Sequence, residues 1–282
     1  MISPLSLVFL VQILAESLPV SSSGHVQLFI RGMRRSGYSI SHQDFRAYEG
    51  LMHLPAFIIL CLFYQAEVRK FLYALVSCVR FGKKCPAEEL NLLFSGVTVL
   101  FYAFITAMIT VLFSCFEIGA CLSTLFGPKR MLAFGFGITS CLLFSLVLRP
   151  SYTSHRPLTL PKAMLLGIAQ GFSLVPGVSR FGITLVGARH LGLSPSQAFS
   201  FSWIMAVPLM IGAFVKEMWD KGFSMGVLFS GSSLQVGDFF LFLIATAGAF
   251  LVFMKGYALV LNHRIVFLGI YLIIPLVLSL MI

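Results

Sequence analysis

Of the chain's 282 residues, 58% are hydrophobic and only 11% are charged, against about 45–50% and about 25% in an ordinary soluble domain, which excludes a soluble globular protein. Disordered, collagen-like, coiled-coil and disulfide-stapled chains need compositions that this one lacks. Its 20 Lys and Arg against 10 Asp and Glu give a formal charge of +10. The basic residues lie mostly between apolar runs, at Arg31, Arg34, Arg35, Arg69, Lys70, Lys83, Lys84, Lys129, Arg130, Arg149 and Arg156. That is where anionic headgroups sit, so membrane lipids and not nucleic acid are the expected partners.

The N-terminal Met-Ile-Ser-Pro runs directly into apolar sequence with no basic n-region, so no removable signal peptide is expected. From Leu5 to Leu18 is about 14 residues, or about 21 Å of helix, before Pro19 and Ser21-Ser22-Ser23-Gly24 stop it. That is short of the roughly 20 residues needed to span a bilayer, so the first segment is expected to end inside the membrane. Spans are expected at about 47–65, 91–114, 130–148, 196–216, 237–256 and 264–281, with 67–84 lying in the interface. From about 163 to 175 a second short segment is stopped by Pro176-Gly177, and a further apolar stretch runs to Leu191. The six cysteines (Cys61, Cys78, Cys85, Cys115, Cys121, Cys141) form no CxxC and no Cys/His cluster. They are expected to be buried thiols, neither disulfides nor metal ligands.

Sliding the chain on itself by 158 positions sets Gln12 on Gln170, Ser21 on Ser179 and Gly24 on Gly182. This is an internal repeat with an interrupted hydrophobic segment at the start of each half. The expected fold is an all-α polytopic membrane protein with about six transmembrane helices plus two re-entrant helix hairpins in an inverted-topology repeat. It forms a single integral membrane domain, 1–282, with halves at about 1–150 and 151–282. Broken backbone is tolerated at membrane depth only where protein or a wet cavity receives it, so the two turns should face one cavity. Lys and Arg occur on both sides of the spans, and the charge bias leaves orientation open.

Glu16 is an acid inside an apolar segment, a functional hypothesis by default, and Gln12 lies one turn earlier on the same face. A helix-packing pair is the plainer reading. Ser21, Ser22, Ser23, Gly24 and His25 offer hydroxyls, free N–H groups and a titratable imidazole at a helix start, an arrangement that also serves as a simple cap. Pro176 to Thr184 sets Arg180 at membrane depth beside Ser179, and guanidinium suits bidentate capture of phosphate oxygens. An ion pair with Glu16 is the structural alternative. Glu49 is a weaker intramembrane acid, and His42, His53, His155, His190 and His263 form no ligand spacing and receive no role. Together the residues suit phosphoryl transfer or hydrolysis on an anionic lipid, with a divalent cation assisting.

Gln12, Glu16-Ser-Leu-Pro-Val-Ser-Ser-Ser-Gly-His25 and Pro176-Gly-Val-Ser-Arg-Phe-Gly-Ile-Thr184 resemble the two signature motifs of the undecaprenyl-diphosphate phosphatases, the bacitracin-resistance type. Tyr48-Glu49, Leu191 to Ser202 and Phe267 to Tyr271 extend the resemblance along the chain. It implies a multi-pass protein of the bacterial inner (plasma) membrane that hydrolyses undecaprenyl diphosphate to the monophosphate carrier of cell-wall precursors, with the site opening to the extracytoplasmic side. Carried over by position, Glu16, Ser22, His25 and Arg180 are the catalytic candidates. Gln12, Ser21, Gly24, Gly177, Ser179 and Thr184 are the substrate-binding ones, and Glu16 and Gln12 are the ligands for Mg²⁺ or Ca²⁺. Ser22 is the expected nucleophile, with His25 moving its proton; attack by water stays open, as does a homodimer. Phe181 stands where the family usually has a serine, Ser17 where it usually has an aromatic and Ala15 where threonine is common, and a ring beside Arg180 is expected to narrow the pocket or change the seat of the diphosphate. Ser23-Gly24-His25 and Arg149 to Arg156-Pro157 partly match phosphatidic-acid-type phosphatases, but in the wrong order and with Val186 where a histidine is needed. A transporter of lipid or anionic solute built on the same inverted repeat is the rival from another class, and a non-catalytic lipid-binding relative the third reading.

Overall fold

The computed structural model describes residues 4–38, 51–116, 118–148, 156–220 and 236–282. Among them every regular element is helical: α1 (Pro4–Glu16), α2 (Ser22–Arg35), α3 (Leu54–Phe63), α4 (Gln65–Phe81), α5 (Ala87–Ser114), α6 (Ile118–Phe126), α7 (Pro128–Ser145), α8 (Leu160–Gly171), α9 (Arg180–His190), α10 (Pro195–Asp220), α11 (Val236–Leu261), α12 (Val266–Tyr271) and α13 (Ile273–Met281). Tyr48, Glu49, His42, His155 and Arg149 lie outside the described residues.

Three of these helices, within α5, α10 and α11, are long and apolar enough to cross a membrane. Of the other expected spans, α7 has 18 residues, about 27 Å. The last is divided at Leu272 into α12 and α13, and the first begins in residues that are not described. The long helices carry the reversed pattern of a lipid-facing element. In α5 the buried residues are Ala103, Thr106, Ala107 and Thr110, while Phe94, Phe101, Phe104 and Val111 are exposed. Small side chains let backbones approach inside, and large apolar ones face outward, where hydrocarbon replaces water.

Both interrupted segments fold as hairpins. α1 ends at Glu16 and α2 starts at Ser22; α8 continues through a 3₁₀ turn at Phe172–Leu174 and α9 starts at Arg180. Each hairpin leans on the other half of the chain: α1 packs on α11, and α8 packs on α5. Beneath both turns lies α7, which also packs against α12 and α13. One hydrophobic cluster joins residues of both halves, with Phe136, Phe199 and Phe253 fully buried in it.

The cysteines depart from expectation. Cys78 and Cys85 form a disulfide across the turn from α4 to α5, with Cα atoms 4.9 Å apart, well inside the usual range. The free cysteines Cys61, Cys115, Cys121 and Cys141 are exposed, not buried. In a chain whose outer surface is apolar, an apolar neighbourhood in sequence does not signal burial.

Candidate active site

The two turns cross at the centre of the body. A side chain on Gly24 would meet the Cα of Gly177 and the ring of Phe136; one on Gly182 would meet the carbonyl of Pro19. Gly177 has φ +90°, and α7 fills the space where its side chain would go, with Leu132 O and Phe136 N closest. Only glycine fits there, because left-handed backbone and a backbone neighbour both exclude a Cβ. Gly24 and Gly177, expected to bind substrate, therefore lie in a chain crossing and do not line the cavity beside it.

Both turns end in the same cap. Ser21 Oγ accepts from Gly24 N–H at 3.2 Å, and Ser179 Oγ accepts from Gly182 N–H at 3.0 Å. Ser21 holds φ 69°, ψ 85°, a left-handed conformation that costs a non-glycine residue about 1–3 kcal/mol and persists only when its surroundings impose it. His25 is what imposes it: Nδ1–H donates to Ser21 O at 2.8 Å, which leaves Nε2 to accept from the Tyr271 hydroxyl at 2.9 Å. The second turn is held from α7, where Thr139 Oγ accepts from Ser179 N–H at 2.9 Å and shares its proton between Gly135 O at 3.0 Å and Gly177 O at 3.2 Å.

Beside the crossing opens a cavity of about 730 Å³ whose wall includes Gln12, Glu16, Ser21, Ser22, Ser179 and Arg180. These six expected site residues come from α1, α2, α9 and the two turns, and the fold brings them to one space. Glu16 is held on both oxygens: His53 Nδ1–H donates to Oε1 at 2.7 Å, and Gln12 Nε2 donates to Oε2 at 3.4 Å. The acid is therefore oriented by an imidazole and an amide, and Ser22 follows the strained Ser21 at the first position of α2.

Two further expected site residues lie off the cavity wall. His25, the expected proton carrier, is not on the cavity wall; both its ring nitrogens are spent on Ser21 and Tyr271, and its ring stacks on Tyr271 at 5.7 Å. Thr184 is fully buried and returns its hydroxyl to Arg180 O at 2.9 Å and Phe181 O at 3.2 Å, a local bond that spends its donor inside the helix. The cavity instead takes in His53, which no motif pointed to, and Arg31 and Arg34, expected to be interfacial anchors. Phe181 forms part of the wall, its ring against Phe199 at 5.1 Å and Trp203 at 5.3 Å.

The donor set bears on a cation. Among the described residues no three His, Cys, Asp or Glu side chains cluster as metal ligands. Glu16 with the amide of Gln12 is a partial set of hard oxygen donors. Mg²⁺ is commonly held this way, by one or two carboxylates completed by substrate phosphate and water. The residues fit a cation that arrives with a phosphate and do not form a cage that would hold one alone.

A helical membrane protein with two inward-turning hairpins around an acid, an arginine and serine hydroxyls defines the class. The chain belongs to the family described as bacitracin resistance protein BacA, whose family model matches residues 6–277. It is 28% identical over 267 residues to the undecaprenyl-diphosphatase of Borrelia hermsii, covering 94% of this chain and 92% of that one. It is 31% identical to the undecaprenyl-diphosphatase of Methanococcus maripaludis strain C5, over 78% of this chain and 80% of the other. To undecaprenyl-diphosphatase 3 of Acinetobacter baylyi it is 30% identical, over 79% and 77% of the two chains.

Proposed function

We infer that the chain is an undecaprenyl-diphosphate phosphatase, which hydrolyses the polyprenyl diphosphate to its monophosphate and inorganic phosphate. The observation that carries this reading is the convergence of Glu16, Ser22, Ser179 and Arg180 on one cavity within an apolar helical body. Family membership and three relatives named for this activity point the same way.

In this reading Arg180 and the N-terminus of α9 receive the diphosphate, since a guanidinium and the dipole of a helix start stabilise the charge that builds on the phosphoryl oxygens. Ser22 attacks the terminal phosphorus as its bond to the bridging oxygen breaks and the prenyl monophosphate leaves, and water then hydrolyses the phosphoserine to inorganic phosphate, or Ser22 orients a water that displaces the monophosphate directly. The proton leaves through the Glu16–His53 pair; the carboxylate can take it while His53 N–H steadies the charge. His25 is a positioning residue that holds Ser21, and with it Ser22, in place. Glu16 and Gln12 would hold Mg²⁺ or Ca²⁺ together with the substrate, and the cation would neutralise charge on the diphosphate. The polyprenyl tail leaves the cavity along the apolar helices, and the protein works in the bacterial plasma membrane.

The test is phosphate release from undecaprenyl diphosphate by detergent-purified protein with Mg²⁺ or Ca²⁺, beside Glu16→Ala and Arg180→Ala. Release by the wild type that both variants abolish is expected. No release by well-folded wild type in either metal would overturn the reading and favour the transporter, which moves lipid without freeing phosphate.

A further inference from the structure

Among the described residues, the open part of the cavity wall is polar except at two points. Eight apolar residues line the cavity, and six of them, Val26, Ile30, Val178, Trp203, Ala206 and Met210, are buried to 8% exposure or less. Leu18 and Phe181 are the two that keep surface. They flank the crossing of the turns: a side chain on Gly182, next after Phe181, would meet the carbonyl of Pro19, next after Leu18. Both also lean toward α11. Leu18 Cδ2 comes within 3.0 Å of where Gly256 would carry a Cβ. Phe181 packs on Phe199 and Trp203, whose rings pack in turn on Phe253, one turn before Gly256. The shared turn does not call for a ring here, since 158 residues earlier the same position is Ser23, exposed and also on the wall.

Each of the two stands close in sequence to an ionic group of the site. Phe181 directly follows Arg180, and Leu18 comes two residues after Glu16. Apolar surface left in a cavity built for charge is unfavourably hydrated until something apolar covers it. An occupant with a charged head joined directly to a hydrocarbon chain meets both kinds of surface, and free pyrophosphate meets only the polar one. We propose that Leu18 and Phe181 form the seat of the first isoprene unit, the selectivity element that makes the site prefer a prenyl diphosphate to a diphosphate without a chain. The ring is held by Phe199 and Trp203 before any ligand arrives, so little ordering accompanies binding. The seat rests on the phosphatase reading and adds to it the point of the wall that takes the chain.

The test uses full-length purified protein and two water-soluble substrates, dimethylallyl diphosphate and methyl diphosphate, which differ only in the chain. The readout is the ratio of their kcat/KM values within one preparation, which a change in the folded fraction leaves untouched. The wild type is expected to prefer dimethylallyl diphosphate about tenfold or more. Phe181→Ser should cut that preference about tenfold and Leu18→Ala about threefold, the scale of a partly lost apolar contact. Phe181→Leu, which keeps apolar bulk, should hold the ratio within about twofold. Ser23→Ala, at the matching position of the first hairpin, should affect both substrates alike and keep the ratio. No preference in the wild type, an unchanged ratio in Phe181→Ser, or an equal fall in Ser23→Ala overturns the seat. Should the wild type release no phosphate, the phosphatase reading alone fails. Calorimetric Kd values for the same two compounds then decide: a preference that Phe181→Ser loses upholds the seat, and equal values, or a preference that survives the substitution, overturn it.

Discussion

Ser21 and Ser179 cap their helices with the same bond to a glycine three residues on, yet the two hairpins that carry them present opposite chemistry. In the first, Gln12 and Glu16 face the cavity. Shifted by 158 residues, Gln12 becomes Gln170, fully buried with Nε2 donating to Thr110 at 3.0 Å, and Glu16 becomes Leu174, exposed on the outer surface. The start of the second helix adds a charge: neutral Ser22 in the first hairpin corresponds to Arg180 in the second. His25, which holds the first turn, corresponds to Ile183, and Thr139 of α7 holds the second turn in its place. A shared turn thus supplies two helix N-termini at one point, and unequal side chains beside the turns put the acid, Glu16, on the first hairpin and a cation, Arg180, at the helix start of the second. Two equal copies would confront like charges across the crossing.

The largest expected effect comes from breaking that division. Glu16→Gln should lower kcat/KM for phosphate release about 10²–10³-fold, the scale of a lost charged group at a transition state, while Leu174→Gln, at the matching position, should change it less than twofold. Next is the crossing. Gly177→Ala places a Cβ at φ +90° against the backbone of α7, and a loss of about 3 kcal/mol or more is expected, read as a large fall in the thermal midpoint of purified protein. The paired glutamines should separate function from stability. Gln12→Ala is expected to reduce kcat about tenfold with an ordinary melt. Gln170→Ala should leave kcat near wild type and destabilise by about 1–3 kcal/mol, since it empties a fully buried position and removes the amide's bond to Thr110, whose hydroxyl keeps its bond to Thr106 O. Smallest are the caps: Ser179→Ala should cost about 1 kcal/mol, and Ser21→Ala somewhat more, because alanine also tolerates φ 69° poorly.

Much of this contrast was legible in the sequence. Pro19, the serine run and Pro176-Gly177 mark where helices must stop, and the four-residue spacing of Gln12 and Glu16 sets one face. His53 was not legible: it stands 37 residues from Glu16, and only the packing of its turn against α1 unites them. The place of His25 was open to a reading that spacing alone did not prompt. The cavity side of α2 carries Ser22, Ser23, Val26, Gln27, Ile30, Arg31 and Arg34, and at about 100° per residue His25 falls on the opposite side of that helix. The same wheel places Arg31 and Arg34 inside the cavity, whereas charge counting assigned them to headgroups. Cys78 and Cys85 escaped because their approach depends on how the chain turns at Gly82–Lys84.

The central claim, that both hairpins build one site, is tested most directly by a double-mutant cycle in kcat/KM on Glu16→Gln and Arg180→Lys. Residues that act as a unit on one substrate group lose their effect together. The double variant is expected to be little worse than the poorer single variant; losses that multiply in full would show two groups acting apart and contradict the account.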